Sequence, residues 1–157
     1  MTISREWEEL VPRLLDVAVE KRSDSDPVAA HASEGKVRVL LVDDDEVFLA
    51  SLRDLIAHER ELSVVGTATD GLAAIEIVDE LAPDAAVLDL HMPLLDGITT
   101  VTRLRRDHPH LLLIALTGDE APALHSAARE SGADDVLLKQ QPIDGLVKRL
   151  MTAGATV

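Results

Sequence analysis

A doubly wound α/β fold, a five-stranded parallel sheet with helices on both faces behind an N-terminal helical extension, is what this sequence predicts. Three observations carry the expectation. Between residues 37 and 152, five short apolar runs alternate with segments of helical period, the pattern of a parallel sheet wrapped on both sides. Aromatic residues make up only 1% of the 157, essentially Trp7 and Phe48, so the core has to be aliphatic. The residues that follow the apolar runs share one chemistry, which is what an open parallel sheet with a ligand site at its carboxyl edge would show.

The elements can be justified in order. Val37 to Val42 reads as the first strand and about 46 to 58 as the first helix; Ser63 to Ala68 and about 71 to 81 follow, with Pro83 as a stop signal. Ala85 to Leu88 precedes a helix at about 96 to 107. Leu111 to Leu116 precedes one at about 120 to 131, closed by Gly132 where a left-handed cap would sit. Val136 to Leu138 and a helix at about 143 to 152 complete the domain, assigned to residues 37–152 with a tail at 153–157. Ahead of it, residues 1–22 carry Ile3, Trp7, Leu10, Leu14 and Val17 at alternating spacings of four and three, one helical stripe that Pro12 would kink. Such a stripe needs cover, and docking on the sheet domain or on its copy in a homodimer is expected. Residues 23–36, small and acidic, read as a flexible linker.

A formal net charge of -14 argues against direct nucleic-acid partners and anionic membrane surfaces, because no basic excess is available to release counterions. The chain has no cysteine, which is compatible with the cytoplasm, the expected location. Met1 to Leu10 lacks an apolar signal core, and the longest apolar run, Leu111 to Leu116, is too short to span a bilayer.

The first run ends in Asp43, Asp44 and Asp45, the third in Asp89, the fourth in Thr117 and the fifth in Lys139. Converging on one rim, these carboxylates repel one another unless a cation neutralises them. Hard oxygen donors fit Mg²⁺, which prefers one or two carboxylates together with water and phosphate oxygens. A phosphoryl donor could then meet Asp89, with Lys139 and Thr117 set to offset charge on its oxygens. Asp45 alone is better read as a helix N-cap.

The segment DLHMPLLDG, Asp89 to Gly97, resembles the phosphoacceptor loop of bacterial response regulator receiver domains. VDDD at 42–45, LTG at 116–118 and LLK at 137–139 stand in the family's order and spacing, so the resemblance covers about three quarters of the chain. It implies the flavodoxin-like receiver fold, with Asp89 as phosphoacceptor from a histidine kinase or histidine phosphotransfer protein. It also implies that Asp43, Asp44, Asp89 and the backbone carbonyl of His91 hold Mg²⁺, that Thr117 and Lys139 bind phosphoryl oxygens, and that Gly97 allows the turn before the third helix. The His91 imidazole is expected to be solvated. A receiver catalyses only its own phosphorylation and dephosphorylation and switches a downstream protein target; it is not a turnover enzyme.

ELSVVGTATDGLAAIEIV also resembles receivers of the nitrate-response type, which usually carry a C-terminal helix-turn-helix that is not found here before Val157. Two positions depart from the family pattern: Val136 stands where an aromatic is frequent and Gln140 where proline is. Two alternatives come from other classes. A haloacid-dehalogenase-like phosphatase would use Asp43 as nucleophile, Asp45 as acid and the pair Asp134 and Asp135, but that pair precedes the lysine it should follow. A pseudo-receiver would bind protein without phosphorylation, which the complete acidic set argues against.

Overall fold

The computed structural model describes residues 35–155. The helical extension expected over 1–22 and the linker up to residue 34 lie outside the described residues. Within them the chain runs β1 (Val37–Val42), α1 (Glu46–Ala57), β2 (Leu62–Ala68), α2 (Gly71–Leu81), β3 (Ala85–Leu88), α3 (Gly97–Asp107), β4 (Leu112–Thr117), α4 (Pro122–Ser131), β5 (Asp135–Leu138) and α5 (Ile143–Ala155). The five strands are all parallel, in the order β2-β1-β3-β4-β5.

Strand side chains alternate between faces with a period of two, and the inner strands need apolar groups on both. Leu40, Val42, Ala86, Leu88, Leu113 and Ala115 point to one face, where Ala74 and Val78 of α2, Val101 and Leu104 of α3, and Ala128 of α4 close over them. Val39, Leu41, Ala85, Val87, Ile114 and Leu116 point to the other, covered by Leu49, Leu52 and Ile56 of α1 and by Leu146, Val147 and Leu150 of α5. Each fully buried Leu or Val in these layers contributes about 1.5–3 kcal/mol. No helix among the described residues is long and apolar enough to cross a membrane.

Several boundaries move for identifiable reasons. β4 extends through Thr117, whose residue pairs with Leu138 of β5, so Thr117 is the last strand residue and not the first loop residue. α4 starts at Pro122 because proline's missing N–H is no loss in the first turn. α2 keeps its expected end at Leu81, with Ala82, left-handed at φ 46°, as its cap ahead of the stop at Pro83. α5 continues to Ala155, into the stretch 153–157 expected to be a tail, because Ala153 still packs on the α1 and α5 core.

Strand order places β1 in the middle of the reversal: the chain goes from β1 outward to β2 and then returns to β3 on β1's other side. The crevice at the carboxyl ends of β1 and β3 is therefore the place where such a sheet binds ligands.

Candidate functional site

The rim is built by continuing the sheet one residue past each strand. Asp43 donates its backbone N–H to Ala68 O at 3.0 Å, Asp89 to Val42 O at 3.0 Å, and Lys139 to Thr117 O at 2.9 Å. Each residue is thus still tied to the neighbouring strand while its side chain emerges at the carboxyl edge. That is why residues 43, 89 and 139, far apart in sequence, meet.

The Asp43 and Asp89 residues are almost fully buried, at 3% and 6% exposure. Carboxylate oxygens of Asp43, Asp44 and Asp89 lie within 4.8 Å of one another, with Asp44 exposed. The Lys139 ammonium donates to Asp43 Oδ2 at 2.6 Å and to Asp89 Oδ2 at 3.3 Å. The remaining oxygens are held by local turns: Asp43 Oδ1 accepts from Asp45 N at 2.9 Å, and Asp89 Oδ1 accepts from His91 N at 3.2 Å.

Burial pushes the Asp43 carboxyl above the usual range; the hydrogen bonds from Lys139 and Asp45 pull it back without cancelling this, and the charge of Asp89 adds to the rise. Burial works against the Lys139 ammonium as well, but the hydrogen bond and charge of Asp43, with Asp89 behind it, leave it above the ordinary lysine value. One ammonium thus serves two of three clustered carboxylates, and the donor set is entirely hard oxygen. A small divalent cation bound through one or two carboxylates fits both the charge excess and the chemistry.

Thr117 is fully buried, and its Oγ1 accepts from Asp119 N at 3.1 Å. The His91 imidazole is exposed, as expected, and from the surface its Nε2 pairs with Asp119 Oδ2 at 3.0 Å, joining the loop after β3 to the loop after β4. Asp119 is held below the usual carboxylate range by the N–H of Ala121 and then by His91. Gln140, where proline was the family's habit, donates from Nε2 to Gly118 O at 3.1 Å and braces the same loop.

Gly97 serves differently from the turn role anticipated for it. A Cβ there would lie 2.6 Å from Asp89 O and closer still to Leu90 Cα, so the start of α3 rests on the backbone of the acidic loop. Asp96 caps that helix, accepting from Thr99 N at 2.9 Å and from Thr99 Oγ1 at 3.0 Å. Val136 is buried in the aliphatic layer beside α4.

Asp45 is the N-cap of α1, its Oδ1 accepting from Val47 N at 3.0 Å and Phe48 N at 3.1 Å. Asp134 lies ahead of β5, at the opposite edge of the sheet, accepting from Arg105 at 2.7 Å and Leu113 N at 2.9 Å. The acid and the acidic pair that a dehalogenase-like phosphatase would need are therefore occupied elsewhere. One contact had no counterpart in the sequence reading: the Lys139 ammonium sits over the Phe48 ring, 4.4 Å from its centroid. The signal was there in that Phe48 is the lone phenylalanine.

With this geometry in view, the sequence matches the response regulator receiver domain family over residues 39–151. The chain belongs to that family. Receivers are parts of two-component signalling. The transcriptional regulatory protein LnrK of Bacillus subtilis is 32% identical over 116 residues, covering 74% of this chain and 53% of LnrK. PrrA of Mycobacterium tuberculosis, also a transcriptional regulatory protein, is 41% identical over 117 residues, covering 72% of this chain and 48% of PrrA. This receiver chain thus spans about half the length of these two relatives. The solved signal receiver domain of NarL from Mycobacterium tuberculosis superposes with a TM-score of 0.73 at 30% identity, over 78% of this chain and 98% of that one.

Proposed function

We propose that this receiver accepts a phosphoryl group on Asp89 from a histidine kinase or histidine phosphotransfer protein in the cytoplasm. Mg²⁺ would be held by Asp43, Asp44, Asp89 and the backbone carbonyl of His91. The observation that carries the reading is the cluster of three carboxylates within 4.8 Å of one another at the strand-order reversal, with Lys139 bonded to two of them.

Bound there, the cation would supply charge neutralisation for the phosphoryl oxygens as the transferred group crosses. A carboxylate oxygen of Asp89 forms the new O–P bond as the P–N bond of the donor phosphohistidine breaks. The electron pair of that bond stays with the departing imidazole. The His91 N–H, 3.2 Å from Asp89 Oδ1, orients the attacking carboxylate. Lys139 shifts its donors toward one phosphoryl oxygen, and Thr117 donates its hydroxyl proton to another. The burial of Asp89 keeps bulk water from the acyl phosphate so formed. The chain's catalysis is confined to its own phosphorylation and dephosphorylation, and its output passes to a protein partner, in keeping with a net charge of -14.

A phosphodonor such as acetyl phosphate, or a cognate kinase, should label the protein only with Mg²⁺ present, and Asp89→Asn should abolish the label while the protein stays folded. Labelling of Asp89→Asn at unchanged stoichiometry defeats the assignment. Turnover of a generic phosphomonoester that needs Asp43 and survives loss of Asp89 would instead favour a phosphatase.

A further inference from the structure

Trp7 lies outside the described residues and the chain has no tyrosine, so Phe48 is the sole aromatic of the described receiver. Every other large core position is aliphatic, and the core around Phe48, with Leu52, Leu116 and Leu146, is aliphatic too. Bulk alone would be served by another leucine. The ring is instead found at the one place among the described residues where an ammonium is partly removed from water: the Lys139 side chain is 21% exposed, and its Nζ lies 4.4 Å from the ring centroid.

The ring is also held in place by the site itself. Asp45, next to the acidic pair, accepts from the backbone N–H of Phe48 and so fixes the first turn of α1 against the end of β1. Lys139 thereby has carboxylates on one side, at 2.6 and 3.3 Å, and a ring face on another. The attraction of a cation to a ring quadrupole does not depend on the carboxylates' charge. It is therefore open to Lys139 also when Asp43 is engaged by a metal ion and when Asp89 carries a phosphoryl group, the two events that would change Lys139's other partners.

We propose that Phe48 is a positioning residue for Lys139: its ring holds the ammonium at the rim between Asp43 and Asp89 and so strengthens phosphoryl binding at Asp89. This rests on the phosphoacceptor reading of the site, and the test keeps the two separable.

Phe48→Leu and Phe48→Tyr are compared with the wild type and repeated in a Lys139→Ala background. In the metal-free protein, the Lys139 ε-methylene protons should show an upfield ring-current shift that Phe48→Tyr keeps and Phe48→Leu loses. With Mg²⁺, Phe48→Leu should weaken fluoroberyllate binding about three- to tenfold, the size expected of one partly desolvated cation–π contact. Phe48→Tyr should stay within about twofold of wild type, and Phe48→Leu should cost nothing further once Lys139 is alanine, as coupling between the two side chains requires. An equal loss in both backgrounds, or wild-type affinity in Phe48→Leu, overturns the assignment, as does a wild-type Lys139 shift unchanged by Phe48→Leu. Failure of the wild type to bind fluoroberyllate would count against the phosphoacceptor reading, while the metal-free shift still decides the ring's part.

Discussion

Lys139 lies closer to Asp43, at 2.6 Å, than to Asp89, at 3.3 Å, so before phosphorylation its nearer partner is not the proposed phosphoacceptor. Removing the ammonium should therefore expose the cost of burying Asp43 beside Asp89. In metal-free buffer Lys139→Met is expected to lose at least about 1–3 kcal/mol of stability, the range for leaving a buried polar group unsatisfied, which charged groups exceed. Added Mg²⁺ should stabilise both proteins, by about 2.7 kcal/mol at a hundredfold excess over Kd, and chelation should reverse it. Asp43→Asn should not respond. Urea unfolding with and without Mg²⁺ measures all three, and a Mg²⁺ response retained in Asp43→Asn would contradict the assigned ligand.

Gly97 carries the start of α3 against the backbone of Asp89 and Leu90. Gly97→Ala should push the two apart, since backbone on both sides leaves no flexible side chain to yield. A loss of about 1–3 kcal/mol is expected, as for other overpacked sites, together with slower phosphorylation. An alanine variant of wild-type stability and labelling rate would show that the loop can move aside.

Asp96 is one of the carboxylates outside the acidic cluster that make stability depend on pH. Its carboxyl is held below the usual range, first by Thr99 N–H. A carboxylate with a lowered folded pKa binds fewer protons folded than unfolded, so its stabilisation is present above the unfolded pKa and lost as pH falls through the folded one. Asp96→Ala should cost about 1 kcal/mol at neutral pH, as a lost N-cap does. The difference between the two proteins should shrink as acid titrates Asp96, and a gap that persists unchanged below that point would argue for a packing effect.

On the proposed phosphoacceptor reading, Thr117 would transmit the signal. Its hydroxyl accepts from Asp119 N, which leaves its own O–H able to donate to a phosphoryl oxygen, since a hydroxyl carries one donor and two acceptor sites. Full switching from 1:99 to 99:1 needs about 5.5 kcal/mol, more than the roughly 1.5–3 kcal/mol of one charge-assisted bond, so Thr117 and Lys139 must act together. Val136, buried with no ring to rotate, gives α4 and β5 little to follow. Fluoroberyllate should thus shift the amides of 118–121 and of His91 more than those of α4, and Thr117→Val should remove the loop shifts. Large shifts across α4 and β5 that survive the substitution would rule out this route.

Strand number, strand direction and the residues on the rim were legible because each depends on short-range regularities. An aliphatic run buried on both faces has to end where polar residues begin, and Asp43, Asp89 and Lys139 stand at those ends. The family's spacing around Asp89 then implied the roles proposed for them. The helix starts at Asp45 and Asp96 are equally local, since a capping carboxylate reaches only two or three residues ahead.

What the tertiary structure alone decided are distances between residues on different elements. Whether Lys139 leans to Asp43 or Asp89, whether Phe48 lies under its ammonium, and whether His91 reaches Asp119 all depend on how strands and helices are packed, and side-chain type does not encode that. Gly97 makes the same point: a glycine before a helix reads as a turn in sequence, and only the packed chain shows that the backbone of Asp89 occupies the space a side chain would need. The sequence by itself determined which groups come to the rim, because pattern and period are properties of a single chain segment. Their pairing was decided by the fold, because it depends on approach between segments far apart in sequence, 28 positions for His91 and Asp119 and 50 for Lys139 and Asp89.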